Sequence, residues 1–436
     1  MRRVAVGLVV AAIFAAAARA DTASDALVRA DLAHGLGYTG KGVTVAVLDT
    51  GIAGFANSVV AEHCIGACAS GAAEADGAGT AQDDQGHGTE VAGILLDVAP
   101  DAKLVVVKVA DRNGRSSTAQ IQAGLDWVRT HHPEVRIVNV SLAGDIPLSG
   151  DCTNLTPALA SYAASVDALR AQGTLVFAAS GNNGRENGLP APACFPETVA
   201  VGAVYSHTTG AVIAPDICRD AHPIADQVAC WSNASSELDL LAPGAPIATI
   251  GLDGRPTTFA GTSAASAVAA GAAALLLQAD RSLTAGQLES LLEQTGVPIT
   301  DPRRREQIPR VDLETALARV LGHSLTPPRP PRVDVGASSA ASAQPSPSAS
   351  CVAYSPFAEA TVSSRTSSPS RASSRAYAVV CAGRNQWLWY GPVDRKKRVP
   401  AARRRGASVR ASSRGSLASR SSRVACLNGP SCNGAK

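Results

Sequence analysis

The chain has 436 residues, 46% of them hydrophobic, enough for a sizeable core, which excludes wholesale disorder and points to two or three domains. Its formal charge of +3 joins unlike parts: +3 on residues 1–20, −15 on residues 21–321 (18 Lys and Arg against 33 Asp and Glu) and +15 on residues 322–436 (18 against 3). That distribution describes an acidic body carrying a basic tail rather than a uniformly neutral molecule.

Residues 1–20 read as a secretory signal, with Arg2 and Arg3 as the positive start, Val4 to Ala17 as the apolar run and Ala18-Arg19-Ala20 as the cleavage site. That run is too short to span a membrane. Gly35-Leu36-Gly37-Tyr38-Thr39-Gly40 has GxGxxG spacing, but a dinucleotide site needs a strand before it and a helix after it. Here a strand follows, so the glycines read as a turn. Strand-like runs then occur at 43–49, 103–109, 136–142, 174–180 and 198–204, with helix-like stretches near 88–97, 118–131 and 156–172. Continuous apolar strands separated by helices predict an α/β fold: a mainly parallel central sheet in three layers, covered by helices on both faces. Ala264 to Ala279, broken by Ser266 and Gly271, reads as a buried helix and not as a membrane span. Residues 322–350 are a Pro/Ser-rich linker and 351–436 a basic low-complexity tail, in which Ala376 to Tyr390 has the content of a hairpin.

Ten cysteines in an exported chain suggest disulfides. Six lie in the body and four in the tail (Cys351, Cys381, Cys426, Cys432), so each part is expected to close its own bridges. Short spacing favours Cys64–Cys68 and Cys218–Cys230, leaving Cys152–Cys194. The rival reading, a metal site of His63, Cys64, Cys68 and His87, lacks the repeated spacing such sites use.

Four polar residues stand where an α/β sheet places reactive groups. Asp49 ends the first strand in VAVLDTG, His87 opens a helix in GHGTEVAG, Asn182 follows a strand in FAASGNNG, and Ser263 opens a helix in FAGTSAAS. Taken singly, Asp49 and Asn182 are turn residues, and His87 and Ser263 helix caps. Taken together they supply a nucleophile, a base, a carboxylate to orient the base, and an amide donor for an oxyanion.

With these motifs, together with VNVSLAGD (138–145), PACFPETVAVGAV (192–204) and ELDLLAPG (237–244), residues 30–321 resemble the subtilisin-like serine proteases. The resemblance implies a peptidase domain at 21–321, a catalytic triad of Asp49, His87 and Ser263, and Asn182 as oxyanion donor. It implies that Ser141, Leu142, Ala143 and Gly144, with Gly181, line the substrate, and that the partners are proteins or peptides met by a monomer. No cofactor is required on this reading. The loop that binds calcium tightly in many relatives is shortened after His87, and Asp76, Asp83 and Asp84 read as a solvated acidic loop before they read as calcium ligands. The family's usual Met after the serine is Ala264, its Pro-His pair is Ala267-Val268, the His after HGT is Glu90, and Ala143 replaces a glycine. About twenty residues between signal and domain leave no room for the usual folding prodomain. The alternative class is a catalytically silent fold used as a binding module, its tail meeting anionic cell surfaces or nucleic acid.

Overall fold

The structure is a computed structural model that describes residues 22–68, 70–144, 146–325, 376–381, 387–393 and 425–426. The expected signal at 1–20, nearly all of the expected linker and most of the tail lie outside the described residues.

Two short helices, α1 (Thr22–Val28) and α2 (Ala30–Gly35), lead through the Gly37 and Gly40 turn into β1 (Thr44–Asp49). There follow β2 (Val59–Ile65), β3 (Glu74–Asp76), α3 (His87–Val98), β4 (Lys103–Lys108), α4 (Thr118–His131), β5 (Ile137–Val140), α5 (Pro157–Ala171), β6 (Leu175–Ala179) and β7 (Thr198–Tyr205). The chain then makes a small hairpin, β8 (Val212–Ala214) and β9 (Cys218–Asp220), before β10 (Leu240–Ala245). A second hairpin, β11 (Ile247–Ile250) and β12 (Pro256–Phe259), delivers it to the long helix α6 (Thr262–Ala279). Last come α7 (Ala285–Thr295), β13 (Val297–Asp301), β14 (Glu306–Arg310) and α8 (Leu313–Leu321).

Ten strands form one sheet in the order β13-β14-β10-β7-β6-β5-β1-β4-β2-β3. From β14 to β2 they are parallel, and the edge strands β13 and β3 are antiparallel. The alternation along β1 explains the three layers: Val45 and Val47 join the core on the α3 and α6 side, Ala46 and Leu48 the core under α4 and α5. β1 is also where the chain reverses its direction across the sheet, with β5 on one side and β4 on the other, so a crevice opens at its carboxyl end.

Helix α6 runs through one core with 89% of its length buried, the only helix among the described residues apolar and long enough to cross a membrane. It is a core helix made of small residues. A β-carbon added at Gly271 would stand 2.8 Å from Val98 Cβ, so the close approach of α6 to α3 depends on glycine there.

Cys64–Cys68, Cys152–Cys194 and Cys218–Cys230 are disulfides, the pairing expected for the body. The bridge takes both sulfurs from the rival metal site, and the His63 ring stacks on Trp127 at 4.2 Å. In the tail, β15 (Ala376–Cys381) pairs antiparallel with β16 (Trp387–Val393), a hairpin at the expected place, and β17 (Ala425–Cys426) adds parallel to β15.

Candidate active site

Asp49 is the last residue of β1 and is wholly buried. His87 is the first residue of α3, and Ser263 the second of α6. Three segments far apart in sequence thus converge at one end of the sheet. His87 Nδ1 lies 2.7 Å from Asp49 Oδ1, and His87 Nε2 lies 3.1 Å from Ser263 Oγ. Burial opposes a charged imidazole at His87, but the adjacent Asp49 carboxylate, with Glu90 and Asp83 beyond it, carries its pKa above the ordinary histidine value. The carboxylate therefore favours the tautomer with the proton on Nδ1, leaving Nε2 as the acceptor facing the serine. Ser263 Oγ has one proton and two acceptors in reach, His87 Nε2 and Ser141 O at 3.0 Å, so a small rotation turns it to the base.

The helices that carry these side chains begin at glycines. α4, α5 and α7 start at Ser117, Thr156 and Thr284, whose hydroxyls cap them. α3 and α6 start at Gly86 and Gly261, which have no side chain to cap with. At α3 the first N–H groups donate to Gln85 Oε1, Thr50 Oγ1 and Asp83 Oδ2. At α6, Thr262 N–H donates to Asn182 Oδ1 at 2.9 Å, as does the Thr262 hydroxyl. Ser263 N–H, in the first turn, has no acceptor within its helix.

Because Thr262 holds the oxygen of the Asn182 amide, Nδ2 is directed to the helix start. The point where a β-carbon on Gly261 would stand lies 3.3 Å from Asn182 Nδ2 and 3.6 Å from Ser263 N. Two donors thus face one small space beside the serine, the arrangement that stabilises a developing oxyanion.

The expected substrate segment follows β5. Ser141 is buried, Leu142 half-buried, and Ala143 and Gly144 exposed, and none belongs to a strand within this chain. A ladder needs a partner, and Gly144 N–H donates instead to Ala191 O at 3.2 Å. Ser141 Oγ donates to Ser263 O at 3.0 Å and accepts from Asn139 Nδ2, whose Oδ1 accepts from Ser266 Oγ. Gly181 is turned inward: its N–H donates to Thr262 Oγ1 and its carbonyl accepts from Asn233 N–H.

The acidic residues weighed as calcium ligands have separate commitments. Asp76 lies 3.3 Å from the His63 ring and Asp84 2.7 Å from Lys108 Nζ. Asp83 accepts from the Thr50 and Thr89 hydroxyls and from the N–H groups of Gln85, Gly86 and Thr89. Burial raises the Asp83 pKa, but the bonds from the Thr89 hydroxyl and from the N–H groups of Gly86, Gln85 and Thr89 outweigh it and bring the carboxyl below its ordinary range. Among the described residues, no three His, Cys, Asp or Glu side chains are grouped to hold a metal ion.

A mainly parallel α/β sheet with serine, histidine and aspartate linked across its carboxyl ends is the architecture of a serine hydrolase. Residues 40–323 match the model of the subtilase family of peptidases, and the chain belongs to that family, as a serine-type endopeptidase acting on proteins or peptides. It is similar to subtilisin DY of Bacillus licheniformis, with 32% identity over 287 residues, 63% of this chain and 91% of that protein. Subtilisin E of Bacillus subtilis is 33% identical over 280 residues, which span 62% of this chain and 64% of that relative. Among solved structures, a protease of Pseudoalteromonas arctica has the same fold, with a TM-score of 0.55 at 24% identity over 67% of this chain and 94% of that one.

Several residues that build this site stand in no recognisable motif. Asp83, which reads in the sequence as a loop acid or calcium ligand, ties the end of β1, through Thr50, to the start of α3. Lys108 lies opposite Asp49 in the ladder and is wholly buried, its ammonium donating to Thr50 O and Asp84 Oδ1. The available signal is a second lysine inside KLVVVKV and a lone amide in IVNV, since buried strands admit polar side chains only with partners.

Proposed function

We propose that the protein is an exported serine endopeptidase in which Asp49, His87 and Ser263 form the catalytic triad and Asn182 serves as oxyanion donor. The observation that carries this reading is the unbroken hydrogen-bond chain from the Asp49 carboxylate through His87 to Ser263 Oγ. Ser263 Oγ bonds to the peptide carbonyl carbon as its proton passes to His87 Nε2. Asp49 holds the imidazolium, and Asn182 Nδ2 and Ser263 N–H hold the oxyanion. Collapse breaks the C–N bond, and His87 returns the proton to the leaving amine. Water then attacks the acyl-enzyme with His87 again as base, releasing the acid and restoring the serine. The exposed backbone of Ala143 and Gly144 offers a peptide an open edge to pair with.

Export is supported by the Arg-led apolar run at 1–20 and by three disulfides in the body. The charge of +15 on residues 322–436 supports contact of the tail with anionic surfaces. A fluorophosphonate probe, which reacts with activated serines, tests the catalytic reading. Labelling of the wild type, its loss in Ser263→Ala, and a drop of at least about 10⁴-fold in His87→Ala are expected. An unlabelled wild type, or equal labelling of Ser263→Ala, would end the reading of Ser263 as nucleophile.

A further inference from the structure

Asn233 lies between β9 and β10 and is wholly buried. It opens Asn233-Ala234-Ser235, an acceptor triplet for glycosylation that belongs on a surface loop. Its side chain instead points inward, beneath the loop that carries Asn182. Asn233 Oδ1 accepts from the N–H groups of Asn183 and Arg185, each at 3.0 Å, and Nδ2 donates to Asn183 Oδ1 at 3.4 Å. The main chain adds two bonds: Asn233 N–H donates to Gly181 O at 2.9 Å, and Asn233 O accepts from Ser180 Oγ at 3.3 Å. Gly181 has φ of 94°, and a β-carbon there would stand 2.5 Å from Asn233 Nδ2. Amide and loop are thus fitted with no room for a side chain between them.

These bonds fall on residues 180, 181, 183 and 185, on both sides of Asn182. Asn233 is anchored from behind in turn. Arg303, paired with the buried Asp301, donates to Cys230 O at 3.2 Å and Ser232 O at 2.7 Å, and Cys230 is bridged to Cys218. Thr262 grips the Asn182 amide from the front, and Asn233 grips the loop on either side of Asn182 from the rear.

We propose that Asn233 is a positioning residue that fixes the Asn182 amide against the oxyanion, an inference that rests on reading Asn182 as the donor. An amide donor contributes only when it is already placed where charge develops, so loosening its loop should cost turnover and not substrate binding. The triplet is therefore structural, with its acceptor nitrogen inside the fold.

The test is kcat and KM on a peptide substrate for Asn182→Ala, Asn233→Ala, Asn233→Asp and the Asn182→Ala/Asn233→Ala double variant. Asn182→Ala is expected to lower kcat by about 10²–10³-fold. Asn233→Ala should lower it by about 10–100-fold with KM within about twofold. The double variant should fall within about threefold of Asn182→Ala alone, because the amide being positioned is gone. Asn233→Asp keeps the oxygen that accepts from Asn183 and Arg185 N–H and gives up only the longer Nδ2 bond to Asn183 Oδ1, so where it folds it should retain kcat within about fivefold. Additive losses in the double variant, a loss confined to KM, or a folded Asn233→Asp as slow as Asn182→Ala would overturn the proposal and leave the Asn182 reading standing. A wild-type kcat in Asn182→Ala would overturn the reading beneath it.

Discussion

Glu90 stands one turn beyond His87 on α3, where the family resemblance leads one to expect histidine. It is 8% exposed and its Oε2 is buried without a hydrogen-bond partner. Burial, with the negative charges of Asp83 and Asp49, pushes its pKa up to about 7, against the pull of His87. The folded protein therefore holds a proton that the unfolded chain releases near pH 4.5. Stability from this site is complete below about 4.5 and is lost as pH rises through about 7. Glu90→Gln, neutral at every pH, should match the wild type at pH 4.5 and exceed it at pH 9 by up to about 3 kcal/mol. Urea unfolding at both pH values, in a Ser263→Ala background to prevent self-digestion, measures this; a gain of equal size at both would contradict it. Since an ionised Glu90 favours the imidazolium, the same variant should also move the acid limb of kcat/KM to lower pH. Beside the serine, Ala264 supplies no thioether to oxidise, Met1 being the only methionine in the chain.

At the scale of elements, the glycine-started helices explain why the site was readable in part. The parallel strands stood out because β-branched runs buried on both faces are continuous in sequence, and Asp49, His87, Asn182 and Ser263 because glycines flank each of them. β13 and β14 do not stand out, since these short strands at one end of the sheet carry Pro298, Pro309 and Arg310, and β14 meets β10 only near Leu241. Nor do Asp83 or Asn233, whose partners Thr50 and Asn183 lie 33 and 50 residues away. No spacing rule joins such pairs; only the folded sheet does. Gly261 shows how narrow the tolerance at a helix start is. Gly261→Ala would place a methyl 3.3 Å from Asn182 Nδ2 and 3.6 Å from Ser263 N, in the space proposed for the oxyanion, at a φ of 156° that strains any side chain. It should reduce kcat by about 10²-fold, as much as losing one donor, and lower the melting temperature through that strain. A variant with full turnover would mean that the oxyanion sits elsewhere.

Across the whole molecule, charge is partitioned rather than balanced. The body's own run of three arginines does not offset its acidity with a free basic patch: Arg303 is paired with Asp301 and Arg304 with Glu306. Residues 21–325 thus carry −15 and residues 326–436 carry +15, so a chain of residues 21–436 is formally neutral yet strongly dipolar. Net charge and binding behaviour then separate. A neutral protein with mixed charge would pass an anionic resin, whereas a segregated one is retained through its tail, because attraction acts locally once the rest lies beyond the Debye length of about 10 Å at 0.1 M salt. Residues 21–436 carrying Ser263→Ala should bind a phosphate-bearing resin at low ionic strength and elute below about 0.5 M salt, while residues 21–325 should flow through and focus at an acidic isoelectric point. If both species are retained alike, the acidic body and not the tail must hold the anionic surface, and the partition drawn from the sequence has no functional consequence.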